Sequence, residues 1–248
     1  MQSESRILVW DRATRLFHWT LAGGFIAAAT ISLVLGDDSP LFPYHAIVGL
    51  TLVLMVGLRV AWGVVGTRYA RFGSFAFGPS AIIEYSRGVL TGKGMRHIGH
   101  NPGSSLAIFL MLAIILGLGT TGFMLGTGNE SVKEIHELLS YSMLGVVAVH
   151  ILGVIIHSVR HRENITASMI HGHKVAEASD AISSARPLIA ATFLLIAGLW
   201  ALGLVRNYNP ATQTTTLPLL GTVLQLGENE NEGGRGTEGN RGEKDDDD

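Results

Sequence analysis

The sequence predicts an all-α membrane protein: a four-helix transmembrane bundle with a fifth, C-terminal transmembrane helix. Three observations carry this. Of 248 residues, 47% are hydrophobic and only 15% charged, against roughly one quarter charged in soluble domains, and the mean hydropathy is positive. The apolar residues fall into five blocks, His18–Gly36, Tyr44–Gly66, Ser105–Gly126, Ile135–Ser158 and Pro187–Val205. Each approaches or exceeds the about 18–20 residues that cross hydrocarbon as a helix, and a helix satisfies its own backbone where water is absent. Finally, basic residues gather in alternate loops.

Taken in chain order, residues 1–17 form a lead-in that passes through "VWDRATRLFHW" into the first span. That span has a basic start, but its small residues Ala27–Ala29 lie inside the apolar run and a short loop follows, so it reads as a retained helix rather than a cleaved signal peptide. Between spans two and three, "GPSAIIEYSRGVL" has a helix-start signal at Ser80 and apolar residues on one side, the pattern of an interfacial helix. Span three begins at "GHNPGSS", with Asn101 as N-cap and Pro102 at the first helical position. The connection Arg160–Arg186 reads as polar and partly helical. The organisation expected is a transmembrane domain over 1–175, a linker and fifth helix over 176–206, and a largely disordered tail over 207–248 that ends in four aspartates.

The loops set an orientation. Arg6, Arg12 and Arg15 precede span one; Arg68, Arg71, Arg87, Lys93 and Arg96 lie between spans two and three; Arg160, Arg162, Lys174 and Arg186 lie between spans four and five. The short loops on the other side, around Asp37–Asp38 and Asn129–Lys133, hold only Lys133. The positive-inside rule puts the N-terminus in the cytoplasm and the C-terminal tail outside. The chain has no cysteine, which excludes disulfides, thiolate-held iron–sulfur clusters and covalently attached c-type haem. No nucleic-acid partner is expected.

Histidine is the informative residue. His136 and His150 stand fourteen residues apart in span four, so they point from one face, offset by about 40°, at levels about 21 Å apart. One metal ion cannot reach both. His18 opens span one at the cytoplasmic side and His45 opens span two at the outer side. Depth therefore matches His18 with His150 and His45 with His136. Neutral imidazoles facing each other in an apolar bundle suit the two axial positions of a haem iron, whereas zinc or copper would draw in further ligands that neither level offers. A lone intramembrane histidine can be a packing residue, but four that sort by depth carry a cost that points to function. His157, seven residues beyond His150 on a similar face, is the alternative partner of His18, ranked second because it adjoins Arg160, His161 and Arg162. His97, His100, His171 and His173 read as solvated or interfacial.

Arg59 lies fourteen residues after His45 in span two, near the level of His150. Its guanidinium either meets an anion such as a haem propionate or snorkels to headgroups. Glycines such as Gly49, Gly57, Gly117, Gly119 and Gly122 read first as close helix packing and second as room for a flat cofactor.

The segments "VWDRATRLFHW", "YHAIVGL", "LRVAWGVVGTRYARFGSF" and "GHNPGSS", with the His136/His150 spacing, resemble the bacterial cytochrome b561 family, which includes the b-type cytochrome subunits of nickel–iron hydrogenases. The resemblance covers about residues 6–175. It implies a four-helix core with two haem b groups, one towards each surface, passing electrons between the quinone pool and a redox partner. Residue by residue, His18, His45, His136 and His150 match its iron-ligand pattern. The fifth span and acidic tail lie outside it, and no motif fixes a quinone site.

The reading is transmembrane electron transfer between quinone and a partner protein, either a hydrogenase-like or dehydrogenase subunit or a c-type cytochrome. The alternatives are a stand-alone superoxide:quinone oxidoreductase, a metal-ion transporter built on the same histidines, and a haem-free structural anchor.

Overall fold

The structure is a computed structural model that describes residues 4–92 and 96–227. Lys93 and the acidic tail from residue 228, both used in the sequence reading, lie outside the described residues. Five helices are long and apolar enough to cross a membrane: α1 (Arg12–Thr30, continued by a π-helical turn, Ile31–Leu35), α2 (Phe42–Val65), α4 (Pro102–Gly126), α5 (Lys133–His161) and α7 (Pro187–Arg206). Helix α3 (Pro79–Thr91) is the short amphipathic segment, and α6 (Ile165–His171) lies in the polar connection.

Local chemistry sets the helix starts. Asp11 caps α1 by accepting from the Thr14 amide at 2.8 Å. Asn101 and Ser104 form a capping box ahead of Pro102, which satisfies two of the amides that a helix start leaves free. Pro79 opens α3 from an extended Gly78 rather than from Ser80.

Helix α1 packs on α2, α2 on α4, α4 along α5, and α7 against both α1 and α2. A central layer of Val56, Leu112, Ile115 and Met143, joined by Leu21, Phe25 and Val53, fills the bundle at mid-depth. The spans leave many large apolar side chains exposed, among them Val34, Val65, Val149 and Leu188, as a lipid-facing surface requires.

At one end the N-terminal strand β1 (Ser5–Leu8) pairs antiparallel with β2 (His173–Ala176), Arg6 opposite Val175 and Leu8 opposite His173. The connection after α5 is thus partly strand, not only helix. The short run "HKVA" alternates half-buried and exposed positions with buried ones, a signal too brief to stand out from its polar surroundings. The same end gathers the Arg12 amide on the Ala185 carbonyl, the Tyr69 hydroxyl on the Asp180 carbonyl, and an ion pair of Arg68 with Asp180. At the opposite end, β3 (Thr214–Thr216) and β4 (Val223–Gln225) form a hairpin. Its Leu217, Leu224 and Leu226 pack on Leu204 and on Ile47 of α2. The expectation of a largely disordered tail from residue 207 therefore does not hold over 207–227. The leucines supply an apolar face, and β-branched threonines favour extended backbone.

Candidate functional site

Helix α5 carries the two central histidines and has an unusual place in the bundle. It packs along α4, while among the described residues no comparable contact joins it to α1 or α2. Met143, buried in the mid-depth layer, is seven residues from His136 and seven from His150. The interior is therefore filled at the level of Met143, and the histidines sit about 10 Å above and below it along α5.

At the level of the hairpin, His45 and His136 face each other with ring centroids 6.3 Å apart and planes at 71°. Metal–imidazole bonds of about 2 Å on opposite sides of one ion place ring centroids about 6 Å apart. Each Nδ1 is engaged elsewhere. That of His45 donates to the Ala28 carbonyl at 3.0 Å, where α1 passes into its π turn and the hydrogen-bond register shifts. That of His136 is 2.8 Å from Thr121 Oγ1. Because Thr121 donates its own proton to the Gly117 carbonyl at 2.9 Å, it accepts from His136. Both Nε2 atoms are left as the bare nitrogens that a metal takes, oriented from behind. A Cβ at Gly49, one turn beyond His45, would meet nothing within 4 Å, consistent with space on that face. Not every glycine shares this. A Cβ at Gly119 would lie 2.3 Å from Val53, so that glycine serves close packing of α4 on α2.

At the other level, His18 lies within electrostatic reach of His150. His18 stands two turns after Asp11, whose buried carboxylate also accepts from Trp62 Nε1 at 3.3 Å and from the Thr67 hydroxyl. The start of α1 is thereby clamped to the end of α2. His157 points elsewhere. Its ring is 4.4 Å from His161, and its charged neighbours are His161, Lys174, Glu163 and His97. Those groups belong to a polar cluster in which Lys174 pairs with Glu163 at 3.3 Å and Arg96 with Glu163 at 3.2 Å. Burial pushes the Glu163 carboxyl up, but Lys174 and Arg96 outweigh it and hold it below its ordinary value.

Three buried polar atoms in the region of His18 and His150 have no protein partner: His18 Nδ1, Arg59 Nη1 and His100 Nε2. Arg59 is only 6% exposed and lies over the Phe72 ring at 5.0 Å. It does not snorkel, and no carboxylate pairs with it among the described residues. His100, expected to be solvated or interfacial, is instead enclosed between Trp10 and Phe75, with centroids at 4.7 and 4.5 Å. Burial, reinforced by the nearby Arg59 and Lys174, lowers its pKa to about 3, so the imidazole is neutral. The surrounding loop can turn this tightly because Gly99 has no Cβ, which would lie 2.6 Å from the Tyr69 ring. His171 is exposed and His173 half-buried, as expected of outlying residues.

The family described as prokaryotic cytochrome b561 matches residues 9–172, the stretch that holds Arg59 and all of these histidines except His173. The chain belongs to the prokaryotic cytochrome b561 family. Two relatives share its organisation at low identity. One, a probable Ni/Fe-hydrogenase B-type cytochrome subunit of Rhizobium leguminosarum bv. viciae, is 25% identical over 212 residues, covering 68% of this chain and 89% of the relative. A second of the same description, from Rhodobacter capsulatus, is 22% identical over 218 residues, covering 70% and 83%. No solved structure matches.

This cytochrome b561 chain is thus a multi-pass bacterial membrane protein of a haem b family, with a role in membrane electron transfer. The residues present fit that cofactor. His45 and His136 face one another, and the orphaned Arg59 and His100 nitrogens are donors suited to a carboxylate. Among the described residues no three His, Cys, Asp or Glu side chains cluster as a site for a bare metal ion.

Proposed function

We propose that the chain carries electrons across the membrane through two haem b groups, one held by His18 and His150 and the other by His45 and His136, between a redox partner and the quinone pool. The observation that carries the reading is the facing pair His45 and His136 at one level, with a second histidine of α5, His150, at another level within electrostatic reach of His18, and Met143 packed between the two levels. The partner favoured is a hydrogenase, since both relatives are described as hydrogenase cytochrome subunits.

Haem, when bound, supplies a one-electron iron couple whose potential the protein tunes through ligands, hydrogen bonds and burial. The chain's own part is to hold two sites at fixed depths. Thr121 and the Ala28 carbonyl fix ring orientation at one level, and Asp11 anchors the start of α1 at the other. His150 rather than His157 serves as partner of His18, because His157 turns into the Lys174–Glu163 cluster. Held by two histidines each, the haem irons would offer no open site to a substrate, so quinone would exchange electrons without binding iron.

The test is a reduced-minus-oxidised visible spectrum of the purified chain, with extracted haem counted. About two non-covalent haem b groups per chain are expected, with one lost in each of His18→Ala and His45→Ala. A colourless protein that moves metal ions would overturn the reading in favour of a transporter. Haem-dependent quinone reduction by superoxide, with no partner subunit co-purifying, would replace the hydrogenase partner.

A further inference from the structure

We propose that His100 and Arg59 together form the seat of a haem propionate at the His18/His150 level, with His100 a positioning residue that sets the potential of that haem; this rests on the two-haem reading above. The two side chains come from different parts of the chain, one from the last two turns of α2 and one from the residue before the N-cap of α4, yet they share one environment. Arg59 lies over Phe72, Phe72 packs edge-on against Phe75 at 5.8 Å, and Phe75 closes on His100 at 4.5 Å. His100 lies within electrostatic reach of Arg59, His150, His18 and Lys174.

The charges on this wall are unbalanced. Asp11 is the nearest acid to Arg59 but spends its oxygens on Thr14, Trp62 and Thr67, and no ion pair joins it to Arg59. Glu163 is held by Lys174 and Arg96. A guanidinium and an imidazole with buried, unpartnered nitrogens therefore remain at the two ends of the Phe72–Phe75 wall, within electrostatic reach of each other. Leaving either unsatisfied carries the desolvation penalty of an unpaired buried polar group, and a cation buried without an anion costs further. A single carboxylate that accepts from both resolves this, and a haem b carries carboxylates at its edge. Quinone carbonyls are neutral and would leave the guanidinium charge uncompensated.

The direction of tuning follows. Donors on the propionate neutralise negative charge near the iron, which favours the reduced state. Removing the His100 donor lowers the potential of this haem and leaves the other unmoved, since His45 and His136 lie beyond the Met143 layer.

The experiment uses the purified full-length chain with a potentiometric titration of its visible spectrum. His100→Phe keeps a ring between Trp10 and Phe75 but no donor; His100→Gln keeps an N–H donor. Two haems are expected in both, with one midpoint lowered in His100→Phe by about a tenfold change in the reduced-to-oxidised ratio, 59 mV for one electron. In His100→Gln most of that shift is restored. Combining His100→Phe with Arg59→Gln should give less than the sum of the single shifts, because both donors serve one carboxylate. Loss of one haem from His100→Phe but not from His100→Gln would support the same role through affinity. Full haem with both midpoints unchanged in His100→Phe, or equal haem loss in both variants, would overturn it. A wild-type chain without two haems would instead overturn the reading on which it rests.

Discussion

Thr121 shows how much a single hydroxyl can decide. It stands one turn from Gly117, donates to that residue's carbonyl at 2.9 Å and offers its lone pair to His136 Nδ1 at 2.8 Å. That chain of two bonds selects the imidazole tautomer with a bare Nε2. Replacement by valine keeps the shape of the side chain and removes both bonds. Partners behind a metal-bound histidine are worth about 10–100-fold in affinity, so Thr121→Val is expected to hold the haem of the His45/His136 level that much more weakly. Competition with an excess of a soluble haem-binding apoprotein measures it, with loss of one haem, not two, as the expected result. Equal loss from both levels would mean that valine disturbs the bundle as a whole. No sequence motif marks this residue. A threonine fifteen positions before a histidine has no local periodicity to reveal it, and only the packing of α4 along α5 brings the two together.

At the scale of elements, the spans and their order were legible because hydrocarbon length and the histidine depths are properties of one helix at a time. Asn101 and Pro102 were legible for the same reason, as a helix-start signal. What escaped depends on pairing between distant segments. Strand β1 finds β2 about 170 residues later, the terminal hairpin needs Ile47 of α2 to cover it, and His100 is half-buried between Trp10 and Phe75. The polar cluster after α5 belongs to this group and has a testable cost. Lys174, its side chain 4% exposed, is held by Glu163 at 3.3 Å and lies over the Trp10 ring at 6.0 Å. Burial lowers the lysine pKa and Glu163 opposes that. In Glu163→Gln the ammonium stays buried without its counter-charge, which for such pairs costs about 3 kcal/mol. A lower unfolding temperature in detergent is the expected outcome, with the β1–β2 end the first to lose amide protection in hydrogen exchange. The sign with pH is fixed as well. The Glu163 carboxyl is held below its unfolded value, so its contribution is present above that value and is lost as pH falls through the folded one. The wild-type chain should therefore approach the variant in acid, and a constant gap between them would count against the ion pair.

For the whole molecule, the two ends differ in kind. One collects β1, β2, α3, α6 and the arginine-rich connections; the other holds the short loops and the β3–β4 hairpin, with Tyr208 against Tyr44 and Leu224 against Gly126. Positive charge favours the cytoplasmic face, so the cluster of His97, His100 and His157 would lie on the cytoplasmic side and the hairpin outside. On that expected orientation and the proposed two-haem reading, a partner outside would meet the His45/His136 level first, and His18/His150 would stand nearer the cytoplasm. The absence of cysteine makes the test clean, since any introduced thiol is the only one. Ser183→Cys, exposed in the connection before α7, and Ala211→Cys, exposed beside the hairpin, should behave oppositely in intact cells. A membrane-impermeant maleimide is expected to label position 211 at once and position 183 only after the inner membrane is opened. The reverse pattern would invert the molecule and place the Arg59–His100 seat on the outer side, and with it the direction in which an electron entering from a partner outside would travel.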